Sequence, residues 1–216
     1  ASDVYKRQGY IDAVAAAERT GDAPENIRRR HQIGANGNPI FDGMYSRSAT
    51  ACGGGMLGAQ ILMNNETDRV YAPGGGQHHA RSDLASGFCF FNEPVLSILT
   101  MLECGAERVF YLDLDAHHGN GTEQIFYASN DVLFVSFHQH PWFPGTGDCL
   151  RSGTEAGLGY NYNIAMPTWS NNESYIRGFN EIVIPLAEKF QPQLILVSLG
   201  YDAHWMDHSS VLGLST

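Results

Sequence analysis

The sequence is poor in cysteine, in long hydrophobic runs and in positive charge. Its four cysteines are widely spaced and form no C-x-x-C pair, so we expect reduced thiols in a cytoplasmic protein rather than a disulfide framework. No apolar run is long enough to span a bilayer and no signal peptide is recognisable, so we expect no membrane partner. Thirteen basic against 23 acidic residues give a net charge of −10 without a basic stripe, which argues against direct nucleic-acid binding.

The chain does contain enough apolar sequence for one sizeable core. Hydrophobic residues make up 43% of the 216 positions, so we expect a single domain over 9–216. Residues 1–8 are expected to be non-native, because they lack an initiating methionine and resemble a translated sequencing adapter. No helix or strand is expected to close the chain after Leu214, which indicates a domain truncated at its C-terminus. The oligomeric state is left open.

Short strands alternate with helices along the chain. Apolar spacing predicts helices over 10–20, 48–64, 92–103, 122–128 and 172–190, the last one kinked or ended at Pro185. Short apolar runs predict strands over 69–72, 109–115, 132–137 and 160–165, and a buried strand over 193–199. Residues 28–31 read as a charged turn, and the glycines at 53–55 allow a helix to pack closely. Polar residues follow four of these strands, as in an open parallel α/β sheet that builds a site at one edge.

The stretch 111–121 (Tyr-Leu-Asp-Leu-Asp-Ala-His-His-Gly-Asn-Gly) places carboxylates and imidazoles at a strand end. If the strand runs through 115 and is slightly prolonged, Asp113, Asp115 and His117 project to one side. Carboxylate oxygen and imidazole nitrogen suit Zn²⁺ or Fe²⁺ and leave coordination open for water. Satisfied polar groups at a strand end are the alternative, but buried carboxylates need a cation or a network. Asp202 follows the strand 193–199, so we place Asp115, His117 and Asp202 on one ion.

A glycine-rich loop, 73–80, ends in two adjacent histidines. His78 and His79 are expected to point in different directions, so both reach one substrate only if the loop curls around it. Their place at a strand end favours catalysis over a surface or core role. Phe88, beside Gly87, lines a channel or belongs to the core. Phe143 faces the pocket or only shapes the rigid turn 142–147.

Five motifs stand in the order typical of the histone deacetylase and acetoin-utilization superfamily. They are Gly-Gly-Gly-Gln-His-His-Ala, Ser-Gly-Phe-Cys-Phe-Phe-Asn, Asp-Leu-Asp-Ala-His-His-Gly-Asn-Gly, Phe-Pro-Gly-Thr-Gly and Gly-Tyr-Asp-Ala-His. The chain resembles this superfamily, and its bacterial members in particular, over about 33–216. The resemblance implies an arginase/deacetylase-like three-layer α/β/α sandwich around a mostly parallel sheet. It also implies zinc-dependent deacetylation of acetyl-lysine or of a small acetylated amine such as acetylpolyamine.

The resemblance also implies a role for each motif position. Zn²⁺, or Fe²⁺ in some members, would be held by Asp115, His117 and Asp202. The catalytic group would comprise His79 as general base, His78 as its electrostatic partner, Asp113 behind His78 and Asn120 behind His79. The apolar channel for the acyl-lysine stem would be formed by Gly87, Phe88 and Phe143. A structural K⁺ would be bound, largely through backbone carbonyls, by Asp113, Asp115, His117, Ser136 and Phe137. No role is assigned to His118.

Two departures from the family pattern bear on activity. Asn120 stands where many members have aspartate, so we expect a lower pKa for His79 and activity that persists to lower pH. The tyrosine that donates to the acyl carbonyl in the family lies downstream of the Leu-Ser-Thr region, so this chain alone is expected to be weak or inactive. The alternatives are a non-catalytic acyl-lysine-binding module and a ureohydrolase-like amidinohydrolase, whose two-metal site needs further aspartates beside the Asp-x-His motif.

Overall fold

The computed structural model of the chain describes residues 8–216. The expected non-native segment therefore lies outside the described residues, apart from Gln8, which begins the first helix. The chain divides into two compact units, Ala1–Gly105 and Ala106–Thr216. The expectation of one domain over 9–216 stays a prediction. Over 8–216, no helix is both long and apolar enough to cross a membrane.

In the described part of the first unit, helices alternate with irregular segments and no β-strand is present. Its helices are α1 (Gln8–Thr20), α2 (Glu25–His31), α3 (Met44–Met63) and α4 (Glu93–Glu103). The predicted charged turn at 28–31 is wrong, because these residues belong to α2. There Arg29 Nε donates to Glu25 Oε1 over 2.6 Å, and basic side chains in the last turn complement the helix dipole.

The predicted strand over 69–72 is also wrong. These residues are irregular, and Val70 and Tyr71 are 43% and 69% exposed. A short apolar run becomes a strand only where a neighbouring strand supplies hydrogen-bond partners for its backbone. Residues 8–105 contain no β-strand that could do so.

Close packing at Gly55 joins α3 to α4, as the glycine run predicts. A Cβ atom added at Gly55 would collide with Glu93 Oε1 and Ser97 Oγ, whereas Gly53 and Gly54 face open space. Only the third glycine of the run is therefore required for helix packing.

The second unit is built on a parallel sheet. Its strands are β1 (Val109–Asp113), β2 (Val132–Gln139), β3 (Asn161–Met166) and β4 (Leu194–Ser198), in the order β3-β2-β1-β4. Its helices are α5 (Asn120–Phe126), α6 (Asn172–Gly178) and α7 (Ile184–Phe190), with a 3₁₀ turn at Glu155–Gly157 and a π-helical turn at Phe179–Val183. All four strands run in one direction, so their carboxyl ends share one edge of the sheet.

Two details of this unit differ from the expectations, whereas the interruption of the helix over 172–190 near Pro185 agrees with them. Strand β1 ends at Asp113, two residues earlier than predicted, because the chain turns and the Asp115 amide donates to Asp113 Oδ1 over 3.2 Å. Strand β4 is not buried: Ile195 and Val197, which alternate onto the same face of the sheet, are 54% and 40% exposed. The helix over 172–190 widens into the π turn just before Pro185, whose ring nitrogen cannot donate to the preceding turn.

Helices α6 and α7 cover one face of the sheet. The shared core includes Phe110, Leu112, Val135, Tyr175 and Val183. Burial on both sides explains why β1 and β2 read as continuous apolar runs rather than as alternating ones.

Candidate functional site

The carboxyl edge of the sheet brings Asp115, His117 and Asp202 together. Asp115 and His117 follow β1, and Asp202 follows β4. The two strands are adjacent with Asp113 opposite Ser198, so the segments that leave them lie side by side. One ligand atom from each of the three side chains lies within 4.8 Å of the others. His117 Nδ1 is 2.7 Å from Asp202 Oδ2 and 3.1 Å from Asp115 Oδ1.

The electrostatics of this group favour a cation. Burial by itself lowers the pKa of His117, but hydrogen bonds to Asp115 and Asp202 and the charges of both carboxylates outweigh it and raise the pKa to about 10. Without a metal the imidazole therefore holds a proton between two carboxylates. Two carboxylate oxygens and one imidazole nitrogen are a donor set that fits Zn²⁺ or Fe²⁺ and leaves a position open.

Backbone groups hold the carboxylates of this group in place. The Ala116 amide donates to Asp202 Oδ1 over 2.9 Å, and the His117 amide donates to Asp115 Oδ1 over 2.8 Å. Gly200 lies against Asp115, since an added Cβ atom would be 2.6 Å from the Asp115 Cα. Sequence reasoning missed Gly200, because a glycine after a strand does not reveal which residue it approaches.

Asp113 is fully buried at the end of β1. It accepts hydrogen bonds from the Tyr111 hydroxyl over 2.8 Å and from the Asp115 amide over 3.2 Å. Ser136 is opposite Asp113 in the sheet register, and its Oγ lies 3.0 Å from His138 Nδ1. The position of Asp113 behind His78 and the K⁺ site that includes Phe137 stay predictions.

His78 and His79 converge, so the expectation that they point apart is wrong. Their Nε2 atoms are 3.1 Å apart, their ring centroids are 4.0 Å apart, and both side chains are buried. Contacts from the N-cap and the first residue of α4 shape the loop that carries them. Asn92 Nδ2 donates to the carbonyls of His78 and Ala80, and the Gly76 amide donates to Glu93 Oε2 over 2.9 Å.

The two phenylalanines assigned to the channel are exposed. Phe88 is 73% exposed, which excludes the core alternative, and it adopts a φ of +64° beside Gly87 at +52°. Asn38 Oδ1 accepts a hydrogen bond from the Phe88 amide over 3.1 Å. Phe143 is 46% exposed, and its ring packs edge-on against His117 with centroids 6.0 Å apart. The channel itself stays a prediction.

A buried polar network centres on Glu123 of α5. Its carboxylate is 3% exposed and accepts from Arg151 over 2.9 Å, Asn161 over 3.0 Å and Asn163 over 2.7 Å. Burial by itself raises the pKa of Glu123, but His118 and these hydrogen bonds outweigh it and lower the pKa to about 2. Sequence reasoning missed Glu123, because a glutamate in a short helix is normally exposed.

His118 belongs to this network. Its Nε2 is 3.5 Å from Glu123 Oε1, and its Nδ1 is 2.8 Å from the Thr146 hydroxyl. Asn120 is the first residue of α5 and is buried. Its backbone N–H donates to the His118 carbonyl over 2.7 Å. The predicted effect of Asn120 on the pKa of His79 stays a prediction.

Known proteins resemble this chain in sequence and in structure. The histone deacetylase domain matches residues 4–216. A probable deacetylase of Archaeoglobus fulgidus is 40% identical over 177 residues, which cover 80% of this chain and 48% of that protein. The acetoin utilization protein AcuC of Bacillus subtilis is 32% identical over 92% of this chain and 51% of its own length. The crystal structure of an HDAC homolog complexed with SAHA matches with a TM-score of 0.92 and 30% identity, over 99% of this chain and 58% of that chain.

The chain thus spans about half the length of the curated relatives it matches. The structural match confirms the predicted fold class, the α/β sandwich of arginase/deacetylase type with a mostly parallel sheet. Since the domain match extends over almost the whole sequence, the chain belongs to the histone deacetylase domain family.

Proposed function

We propose that the protein catalyses metal-dependent hydrolysis of an acyl-amide, most simply the deacetylation of acetyl-lysine or of a small acetylated amine such as acetylpolyamine. The observation that carries the proposal is the convergence of Asp115, His117 and Asp202 at one edge of the sheet. The family of the chain supports the same reaction class. The amidinohydrolase alternative receives no such support.

The ligand set would hold Zn²⁺ or Fe²⁺ through Asp115, His117 Nδ1 and Asp202. When bound, such an ion polarises an acyl carbonyl and lowers the pKa of a water molecule. The backbone bonds from Ala116 and His117 keep both carboxylates aimed at one point. A structural K⁺ bound by Asp113, Asp115, His117, Ser136 and Phe137 is part of the proposal and is supported by the register that places Asp113 opposite Ser136.

His79 would accept the proton of the attacking water and later return it to the leaving amine, with His78 as its partner. The contact of their Nε2 atoms supports a base and a partner in one pair, because two imidazoles 3.1 Å apart do not both carry a proton there without repulsion. One ring therefore stays neutral and able to act as a base. Exposed Phe88 and Phe143 would contact the apolar stem of the substrate.

The test uses the complete product of the gene, stripped of metal and reloaded with Zn²⁺ or Fe²⁺. Acetate release is measured from acetyl-lysine peptides and from acetylated polyamines, with and without chelator. We expect chelator-sensitive release from at least one substrate class, and the ratio of the two rates assigns the class. Absence of release from every substrate contradicts the proposal, and binding of an acetyl-lysine peptide without turnover would favour the acyl-lysine-binding module.

A matched pair of variants ties the activity to the ligand set. Asp202→Asn should lower the rate by more than the roughly 10- to 100-fold typical of residues outside the ligand set. Asp207→Asn is the control, because Asp207 lies on the same segment but is exposed, and within residues 8–216 its carboxylate accepts hydrogen bonds from Ser209 alone. Equal losses in both variants would contradict the assignment of Asp202.

We also propose that the protein works in the cytoplasm. Cys104 and Cys149 are exposed thiols, which persist in a reducing compartment. Fractionation of cells that express the complete gene checks this proposal, and recovery of the protein outside the cytoplasm would contradict it.

A further inference from the structure

The three metal-ligating side chains come from two irregular segments. We call residues 114–119, which follow β1, the first ligand loop, and residues 199–212, which follow β4, the second ligand loop. Neither contains a helix or a strand. Ligand distances at a metal centre must hold to a few tenths of an ångström. Side chains that tie the two loops together are therefore needed to define the site before an ion binds.

Gln139 contacts both loops. It is the last residue of β2 and is 1% exposed. Its backbone amide donates to the carbonyl of Ala116 over 2.9 Å, between the ligands Asp115 and His117. Its side-chain Oε1 accepts from the amide of Val211 over 2.7 Å. One residue thus joins the first ligand loop to the far half of the second.

The segment that contains Val211 also contacts the backbone of Asp202, the third proposed ligand. The hydroxyl of the adjacent Ser210 donates to the carbonyl of Asp202 over 2.5 Å. The carbonyl of Val211 accepts from the amide of Trp169 over 2.8 Å, so both polar backbone groups of Val211 are held. A shift of Val211 would therefore displace Ser210 and, through it, the backbone of Asp202.

Burial of the Gln139 side-chain amide lowers the stability of the folded protein. Its Oε1 must face Val211, because a backbone N–H needs an acceptor. Its Nε2 is buried and has no hydrogen-bond partner anywhere in the part of the chain that the structure describes. An unsatisfied buried donor disfavours glutamine relative to an apolar residue of the same shape. The acceptor bond to Val211 explains why glutamine nevertheless stands here.

We propose that Gln139 is a positioning residue that sets the spacing between the two ligand loops and so preorganises Asp115, His117 and Asp202 for a divalent ion. The inference rests on the metal centre proposed above. Gln139 contributes no ligand atom; it acts through Ala116 on one side and through Val211 and Ser210 on the other.

The test compares two isosteric variants in the complete protein, with metal alone as the probe. Zn²⁺ affinity is measured by competition with a chromogenic chelator, and the visible absorption of bound Co²⁺ reports ligand geometry. Gln139→Met removes the acceptor and should weaken Zn²⁺ binding roughly tenfold or more, with an altered Co²⁺ spectrum. Gln139→Glu keeps an oxygen for Val211 and should stay within about threefold of the wild type.

Trp142→Phe is the control. It removes the 2.9 Å bond from the indole Nε1 to the carbonyl of Ser209, another tie to the second ligand loop that does not reach the first. We expect a change in Zn²⁺ affinity below about threefold. A loss as large as in Gln139→Met would overturn the proposal, as would equal losses in Gln139→Met and Gln139→Glu.

Hydrogen exchange on the metal-free wild type tests whether the two loops are held together before metal binds, even if Gln139→Met does not fold. The Val211 amide should be protected before any ion is added, and rapid exchange would overturn preorganisation. Failure of the wild type itself to bind Zn²⁺ would overturn the proposed metal centre together with this inference. Unchanged affinity in Gln139→Met overturns the inference alone.

Discussion

At the residue scale, the proposed metal centre depends on groups that supply no ligand atom. Gly200 shows this most directly. The backbone of Gly200 packs against Asp115 so closely that a methyl group has no room, since an added Cβ atom would be 2.6 Å from the Asp115 Cα and 2.7 Å from its Cγ. Any side chain at position 200 must therefore move Asp115, one of the three proposed ligands.

We predict that Gly200→Ala weakens binding of Zn²⁺ by roughly tenfold or more, because Asp115 is displaced from His117 and Asp202. Chelator competition measures the change. Gly213→Ala is the matched control, because its added Cβ atom would make only ordinary contacts, the nearest at 3.5 Å to the carbonyl of Ser170. Wild-type affinity in Gly200→Ala would show that Asp115 tolerates displacement.

At the element scale, Glu93 links helix packing to the histidine loop. Its Oε1 accepts from the Ser97 hydroxyl over 2.7 Å, at the place where α4 meets Gly55 of α3. Its Oε2 accepts from the Gly76 amide in the loop that leads to His78 and His79. The close approach of α3 to α4 therefore helps to hold this carboxylate beneath the loop.

We predict opposite effects for two neighbouring alanine substitutions in α3. Gly54→Ala should stabilise the protein by about 0.5–1 kcal/mol, because Gly54 faces open space and alanine favours the helix. Gly55→Ala should destabilise it by about 1–3 kcal/mol, because the methyl group collides with Glu93 and Ser97. Urea unfolding measures both free energies. Equal effects would show that α3 and α4 separate without cost.

The elements also show which signals in the sequence were reliable. The helix that begins after Asn92 was predictable, since Asn92 caps it and Pro94 fits its first turn. The strand over 69–72 was predicted wrongly, because Val70 and Tyr71 have strand propensity but a strand needs a neighbour. Local periodicity identifies an element that packs along its own length, but it does not identify the partner that a strand requires.

At the scale of the whole molecule, the buried carboxylate of Glu123 makes stability depend on pH. Its pKa falls from 4.5 to about 2 on folding. Glu123 therefore contributes its full stabilisation above pH 4.5, and that contribution is lost as the pH falls from about 4.5 toward 2, where the folded state also takes up the proton.

We predict that Glu123→Gln lowers the free energy of unfolding by about 1.5–3 kcal/mol at neutral pH, because charge-assisted hydrogen bonds to Arg151, Asn161 and Asn163 are lost or weakened. The difference from wild type should shrink between pH 4.5 and 2. Chemical unfolding across this range measures it. Glu181→Gln is the control, since its ion pair with Arg177 is exposed and should contribute less than about 1 kcal/mol. A pH-independent difference would contradict the assigned pKa.

The sequence by itself determined the fold class and the identity of the chemical groups. Alternating strands and helices predicted the α/β class, and residue types and motif order singled out Asp115, His117 and Asp202, which the structure brings together. Only the tertiary structure decided the geometry. It turned His78 toward His79, exposed Phe88, buried Glu123 beside Asn161, and placed Gln139 between the two ligand loops. The physical reason is that residue type and periodicity are local properties, whereas burial, pKa and the distance between two loops depend on contacts between residues far apart in the chain.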